Sequence, residues 1–419
     1  MRRKQLSGTA RGVLVILATM LILASSAEAA AKYTTLHKFA GPPTDGSDPD
    51  AGLIFDSLGN LYGTTVSGGS SGNGMAFELS PNSDGTWTET VLYSFQGSPD
   101  PSSVRAGLLF DSSGNLYGTS WAGGVYNEGT VYELSPSPGG GWTESVLYSF
   151  TGSGDGAGPV GGLVFDAAGN LYGTTTWANV FELIPNGDGT WTEAVIFSFD
   201  GSDGAYPDHS NLIFDAAGNL YGVTAQGGEG DCSIWTSGCG VVFELTPNGD
   251  GTWNETVLHL FSGGNDGANP EATLIFDASG NLYGTTMNGG AYGDGVVYKL
   301  MPKANGKWKE QVLHAFKGGT DGAHSWSGLV FDANGNLYGT TVDGGAGQCN
   351  GDGGTGCGTV YELSPKASGG WKEHVLHRFP GTRQANPYGE LLLDSSGNLY
   401  GMDSEDTTGK FGTVFEITP

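Results

Sequence analysis

Apolar residues in this chain fall in short runs broken by Gly, Asn, Asp and Pro, and the runs recur in a fixed order of four. The first ends in Asp, as in Gly52-Leu53-Ile54-Phe55-Asp56, and a Ser-Leu-Gly-Asn turn leads into the second, Leu61-Tyr62-Gly63-Thr64-Thr65. This pattern predicts a β-hairpin, with Gly supplying the positive φ while Asp and Asn bond back to the backbone. After a Gly-rich loop comes a third run, Gly129 to Leu134 in the second unit, closed by a Pro that cannot donate to a ladder. The turn from Asn186 to Trp191 delivers a fourth run, Thr192 to Phe199. Four antiparallel strands per unit follow.

The pentapeptide Gly-Asn-Leu-Tyr-Gly opens the second run seven times, at Gly59, Gly114, Gly169, Gly218, Gly280, Gly335 and Gly397. A repeat of about 55 residues built from short strands predicts an all-β fold, a seven-bladed β-propeller. The seventh unit stops after its third run, Gly412 to Ile417, whereas Tyr33 to Phe39 matches the fourth-strand pattern with no blade before it. The N-terminal strand is therefore expected to complete the last blade and close the ring, which removes unpaired sheet edges. Residues 33–419 are expected to form one domain.

Arg2, Arg3, Lys4 and Arg11 precede an apolar stretch from Val13 to Ala24, and Ala27-Glu28-Ala29 fits a cleavage site. Residues 1–29 therefore read as a cleaved signal peptide, with Arg2-Arg3 leaving the twin-arginine export route open. A secreted or periplasmic location follows. No other apolar run is long enough to span a bilayer, so membrane insertion is not expected. The formal charge is −27, and it becomes −30 once the first 29 residues, with four basic groups and one acid, are removed. Such a surface repels nucleic acid and anionic membranes. The 75 glycines sit in turns at fixed offsets between apolar runs, which argues for an ordered chain.

Cys232 with Cys239 and Cys349 with Cys357 form two local pairs in equivalent loops between second and third strands. In an oxidising compartment they predict two disulfides, and their spacing does not fit a zinc site. Gly59-Asn60-Leu61-Tyr62-Gly63-Thr64-Thr65, then Gly129 to Pro136, then Trp142 to Phe150 together resemble the GloVer tandem repeats of exported bacterial proteins. The first hairpin is also similar to NHL and SBBP propeller repeats. The resemblance spans Tyr33 to Pro419 and brings no activity with it. Such proteins often end in a surface anchor, and the lack of one here leads to an expectation of release.

Repetition separates scaffold from candidate chemistry. Asp56, Asp111, Asp166, Asp215, Asp277, Asp332 and Asp394 recur in every unit, as turn-bonding residues should. Trp87, Trp142, Trp191, Trp253, Trp308 and Trp371 open fourth strands and read as packing, as do His37, His259, His314 and His377. Trp121, Trp177, Trp235 and Trp326 break this pattern and belong on the face carrying the loops after the second and fourth strands. Exposed aromatics there suit stacking on sugar rings; filling gaps between unequal loops is the competing explanation.

Three residues before the first Leu of each first strand stand Asp50, Arg105, Val160, His209, Glu271, Trp326 and Tyr388. With that strand innermost, these residues ring the mouth of the channel, and their mixture suits a polar ligand or, through Glu271, His209, Asp50 and Arg105, acid–base chemistry. The sequence thus favours a monomeric binding module for carbohydrate or an extracellular or cell-surface protein, with ligand-binding candidates Trp121, Trp177, Trp235, Trp326 and Tyr388. A glycan-cleaving hydrolase or lyase and a structural matrix protein are the alternatives. No cofactor or metal is expected, with calcium at the Asp-Gly turns of Asp45, Asp155, Asp203, Asp266 and Asp321 as the exception to be weighed.

Overall fold

A computed structural model describes residues 30–207, 211–228, 230, 232, 238–345, 347–349, 356–381, 385–404 and 411–419. The expected signal peptide lies outside them. Among the described residues no helix is long and apolar enough to cross a membrane.

Each repeat folds as one blade of four antiparallel strands, and seven blades form the ring. Blade 1 comprises Ile54–Phe55, Leu61–Thr65, Met75–Pro81 and Trp87–Ser94. Blade 7 takes Leu392–Leu393, Leu399–Asp403 and Thr413–Thr418 from the C-terminal end and Lys32–Lys38 from the N-terminal end, with Tyr33 opposite Ile417 and Thr35 opposite Phe415. The N-terminal strand thus closes the ring. The innermost strands are shorter than their apolar runs suggest, with only two residues paired, and Asp56 follows them to hold the hairpin turn. Its Oδ1 accepts the N–H groups of Leu58 and Asn60 at 2.8 and 2.9 Å, and its Oδ2 accepts Asn60 Nδ2 and the Tyr62 hydroxyl. The same arrangement holds at Asp277, where Lys299 replaces the usual third-strand Glu and pairs with the Asp at 3.4 Å.

The two glycines of the pentapeptide do different work. Gly59 turns the hairpin at φ 86° with open space around it. Gly63 has ordinary φ, but a Cβ there would lie 2.7 Å from Phe77 Cζ and 2.9 Å from Leu53 Cδ2; a third-strand ring occupies the space. Gly173 meets Phe181 in the same way at 2.6 Å. Gly173→Ala is therefore expected to cost about 1–3 kcal/mol through overpacking, readable as a lower urea midpoint with an unchanged slope.

The core lies between blades. Leu92, Phe95, Leu108 and Tyr132 pack in one cluster drawn from blades 1 and 2, and Phe95 meets Tyr132 edge-on at 5.0 Å. Thr64 Oγ1 donates to Ala106 O at 2.9 Å, stitching the same two blades. A feature the alternation did not reveal is a bulge in every outer strand: Val131 pairs with Tyr148 but Tyr132 with Val146, so Leu147 is extra. The bulge turns the next side chain, Tyr148 here and His37 in blade 7, toward the neighbouring blade.

Six junctions bring together two carboxyl groups, one Asp from the loop entering the next blade and one Glu from that blade's outer strand. The Glu–Asp pairs are 89 with 45, 144 with 100, 193 with 155, 255 with 203, 310 with 266 and 373 with 321. Burial, reinforced by the facing Asp, pushes Glu144 up to about 8 and the other five up to about 7. Disulfides join Cys232 to Cys239 and Cys349 to Cys357, consistent with an oxidising compartment.

Candidate functional site

The loops after the fourth strands and those after the second strands are tied together around the channel mouth. Val66, Trp121, Ala225, Met287, Val342 and Ser404 donate backbone N–H groups to the carbonyls of Asp48, Ser103, Tyr206, Asn269, His324 and Asn386. All six acceptor residues hold left-handed φ angles between 47° and 59°. Asn and Asp tolerate this region, whereas Ser103, Tyr206 and His324 occupy it at a cost of roughly 1 kcal/mol each. The six hydrogen bonds hold the loop path against that strain.

Within the mouth is a cavity of about 790 Å³. Asp50, Arg105, Val160, Trp326 and Tyr388 line it, so five of the seven ring positions share one cavity. Arg105 Nη1 lies 3.6 Å from Asp50 Oδ2. Burial pushes the Asp50 carboxyl up to about 7; Arg105 pulls against that rise and Asp48 adds to it. Trp326 and Tyr388 meet with ring centroids 5.2 Å apart at 53°. Glu271 is half-buried and does not line the cavity, although Ala272 and Thr273 beside it do. His209 and Trp235 lie outside the described residues.

Trp326 is held firmly from both sides. Ser325 Oγ donates to Thr340 O at 2.8 Å, Ser327 Oγ bonds Thr340 Oγ1 at 2.8 Å, and His324 Nδ1 lies 2.8 Å from Asp343 Oδ2. His324, Ser325, Ser327 and Asp343 are all buried, so Trp326 is the side chain this loop presents to the cavity.

One layer deeper is a belt that the sequence pattern did not disclose. The position just before the first-strand Leu is Gly in four blades, at Gly52, Gly107, Gly162 and Gly328, but Asn211, Thr273 and Glu390 in the others. These three reach along the wall past the glycines. Gly162 N–H donates to Asn211 Oδ1 at 2.6 Å, Asn211 N–H to Thr273 Oγ1 at 3.0 Å, and Glu390 bonds Thr273. A Cβ on Gly328 would lie 2.8 Å from Glu390 Oε1, so the Glu390 side chain crosses blade 6. Burial pushes its carboxyl upward, against the Thr273 hydrogen bond. The signal available in the sequence was the departure from Gly at an otherwise glycine position.

Trp121 and Trp177 stand outside the cavity, 49% and 63% exposed. They are linked through Gly158: the Trp121 ring abuts it, and Thr176, next to Trp177, bonds its carbonyl. Tyr206 continues the series, its ring 5.5 Å from Trp177. An aromatic series, exposed at Trp121 and Trp177 and half-buried at Tyr206, thus runs from blade 2 to the loop leading into blade 4.

The model of the Gloeobacter/Verrucomicrobia repeat matches residues 25–235 and 232–419. No curated protein matches the chain. Among solved structures, the chain is similar to the X-ray structure of a protein proposed to be a gluconolactonase, at 16% identity over 93% of this chain and 92% of that one, with a TM-score of 0.42.

Proposed function

This chain belongs to the Gloeobacter/Verrucomicrobia repeat family, and on that premise we propose that it is an exported binding protein that holds a carbohydrate at the channel mouth. The observation carrying this reading is the Trp326–Tyr388 pair facing the same cavity as the Asp50–Arg105 pair. Aromatic faces stack on the C–H faces of a sugar ring, while a carboxyl and a guanidinium bond its hydroxyl or carboxylate groups. The series of exposed Trp121 and Trp177 with half-buried Tyr206 offers further rings to a chain extending beyond the mouth.

A panel of soluble and insoluble polysaccharides, scored for retention and for released fragments, tests the proposal. Trp326→Ala is expected to weaken retention at least tenfold, about 1.4 kcal/mol, with the melting temperature preserved. Unchanged retention in both Trp326→Ala and Tyr388→Ala would sink it. The Asp50 carboxyl, raised to about 7 by burial, favours glycan cleavage as a second reading. Released fragments that disappear in Asp50→Asn would support cleavage over simple binding.

A further inference from the structure

The junction where the ring closes differs chemically from its neighbours. Between blades 1 and 2 and between blades 2 and 3, the side chain after the bulge is a Tyr whose hydroxyl donates to the junction Asp at 3.0 Å, Tyr93 to Asp100 and Tyr148 to Asp155. There the Asp and the Tyr hydroxyl satisfy each other, although Glu144 Oε1 and Glu193 Oε1 keep no hydrogen-bond partner among the described residues. Between blades 7 and 1 the equivalent side chain is His37. Its Nε2 lies 3.6 Å from Asp45 Oδ2 and 3.7 Å from Glu89 Oε2, too far for hydrogen bonds. One ligand atom from each of the three residues falls within 4.8 Å of the others, the one such trio among the described residues.

The spacing has a chemical meaning. Ligand atoms about 2.0–2.2 Å from a tetrahedral metal stand roughly 3.3–3.6 Å apart, and an imidazole with two carboxylates is a donor set that borderline divalent cations accept. Independently, His37 Nε2 is shielded from solvent and has no hydrogen-bond partner among the described residues; His259 Nε2 shares that state, but its junction does not bring three ligand atoms within the same reach. Asp45 is fixed by the N–H groups of Ala40 and Gly46, each at 2.6 Å, and His37 packs edge-on against Phe39 at 4.8 Å. Two of the three ligands are thereby oriented before any cation arrives.

We propose that His37, Asp45 and Glu89 form a binding site for a divalent transition metal at the seam between the N-terminal strand and blade 1. His37 sits on the strand that closes the ring, and Asp45 and Glu89 belong to the loop into blade 1 and its outer strand, so the ion ties the closing strand to its neighbour. A ligand that binds only the folded form stabilises it by mass action.

The test uses the full chain without an affinity tag, stripped with chelator and then dialysed against buffered Zn²⁺, with retained zinc measured by elemental analysis. One equivalent is expected, together with a rise in melting temperature. His37→Tyr, which installs the residue found at the next two junctions, should lose the zinc and fold normally, whereas His259→Tyr should keep it. Glu89→Gln should weaken retention at least tenfold, which decides the matter if His37→Tyr folds poorly. No zinc retained by the unaltered chain, or equal retention in Glu89→Gln and His37→Tyr, overturns the proposal.

Discussion

Raising the pH from 5 to 8 is expected to lower the melting temperature of the metal-stripped protein by about 5 °C or more, the reverse of the trend for carboxylates held in ion pairs. The cause is the set of six junction glutamates, whose carboxyls burial and a facing Asp hold up at about 7, or about 8 for Glu144. In the unfolded chain each returns to the ordinary Glu range near 4.5. A folded-state value above the unfolded one gives stability that is complete below pH 4.5 and lost as the pH climbs through 7 to 8. A tenfold change in proton affinity corresponds to about 1.4 kcal/mol, and screening at half-buried sites reduces each pair to roughly 1 kcal/mol, or several for the six together. Below pH 4 the turn aspartates act the other way. Asp56, Asp215, Asp332 and Asp394 are held below the usual range because backbone and Asn hydrogen bonds outweigh their burial, and protonation releases them. Maximum stability is thus expected near pH 5. Scanning fluorimetry across pH 4 to 9 checks this, and Glu144→Gln should flatten the last part of the decline; a midpoint level or rising from pH 5 to 8 would refute the account.

Removing residues 1–38 is expected to cost more than any point substitution, lowering the melting temperature by at least 15 °C or leaving the protein insoluble. Blade 7 would lose its outer strand, and the Thr413–Thr418 strand would present an unpaired edge. The packing lost is aromatic: Tyr33 stacks on His377 at 4.2 Å and on Phe415 at 5.4 Å. Removal of residues 1–29 alone should leave stability unchanged, and a synthetic peptide covering Lys32 to Phe39 should restore much of the loss. A monomeric 39–419 chain melting within a few degrees of the parent would show that the closing strand is dispensable.

The blade could be read from the sequence because its determinants are local. The Asp56 turn, Gly59, the run from Leu61 and the terminal Pro81 lie within a few residues of the structures they set, and the unpaired fourth-strand run at Tyr33 announced closure. The channel-mouth ring was legible in part, since one repeat position yields one circle; Asp50, Arg105, Trp326 and Tyr388 do line a common cavity. The Glu390 belt was not, because a residue that crosses a neighbouring blade acts through a contact between distant repeats. The outer-strand bulge hid for a related reason. It breaks the alternation by a single residue, and a packing role for His37 followed naturally until the bulge turned it toward Asp45 and Glu89.

The pinned loop that carries Trp326 bears on kinetics. Ser325, Ser327 and His324 are bonded to the second strand and its following loop, so the aromatic wall is ordered as the blade folds. An occupant of the mouth then finds the Trp326 loop already in place, and free and occupied forms should superimpose closely along it. Arrival rates will vary little among related ligands, and selectivity will be expressed in residence time.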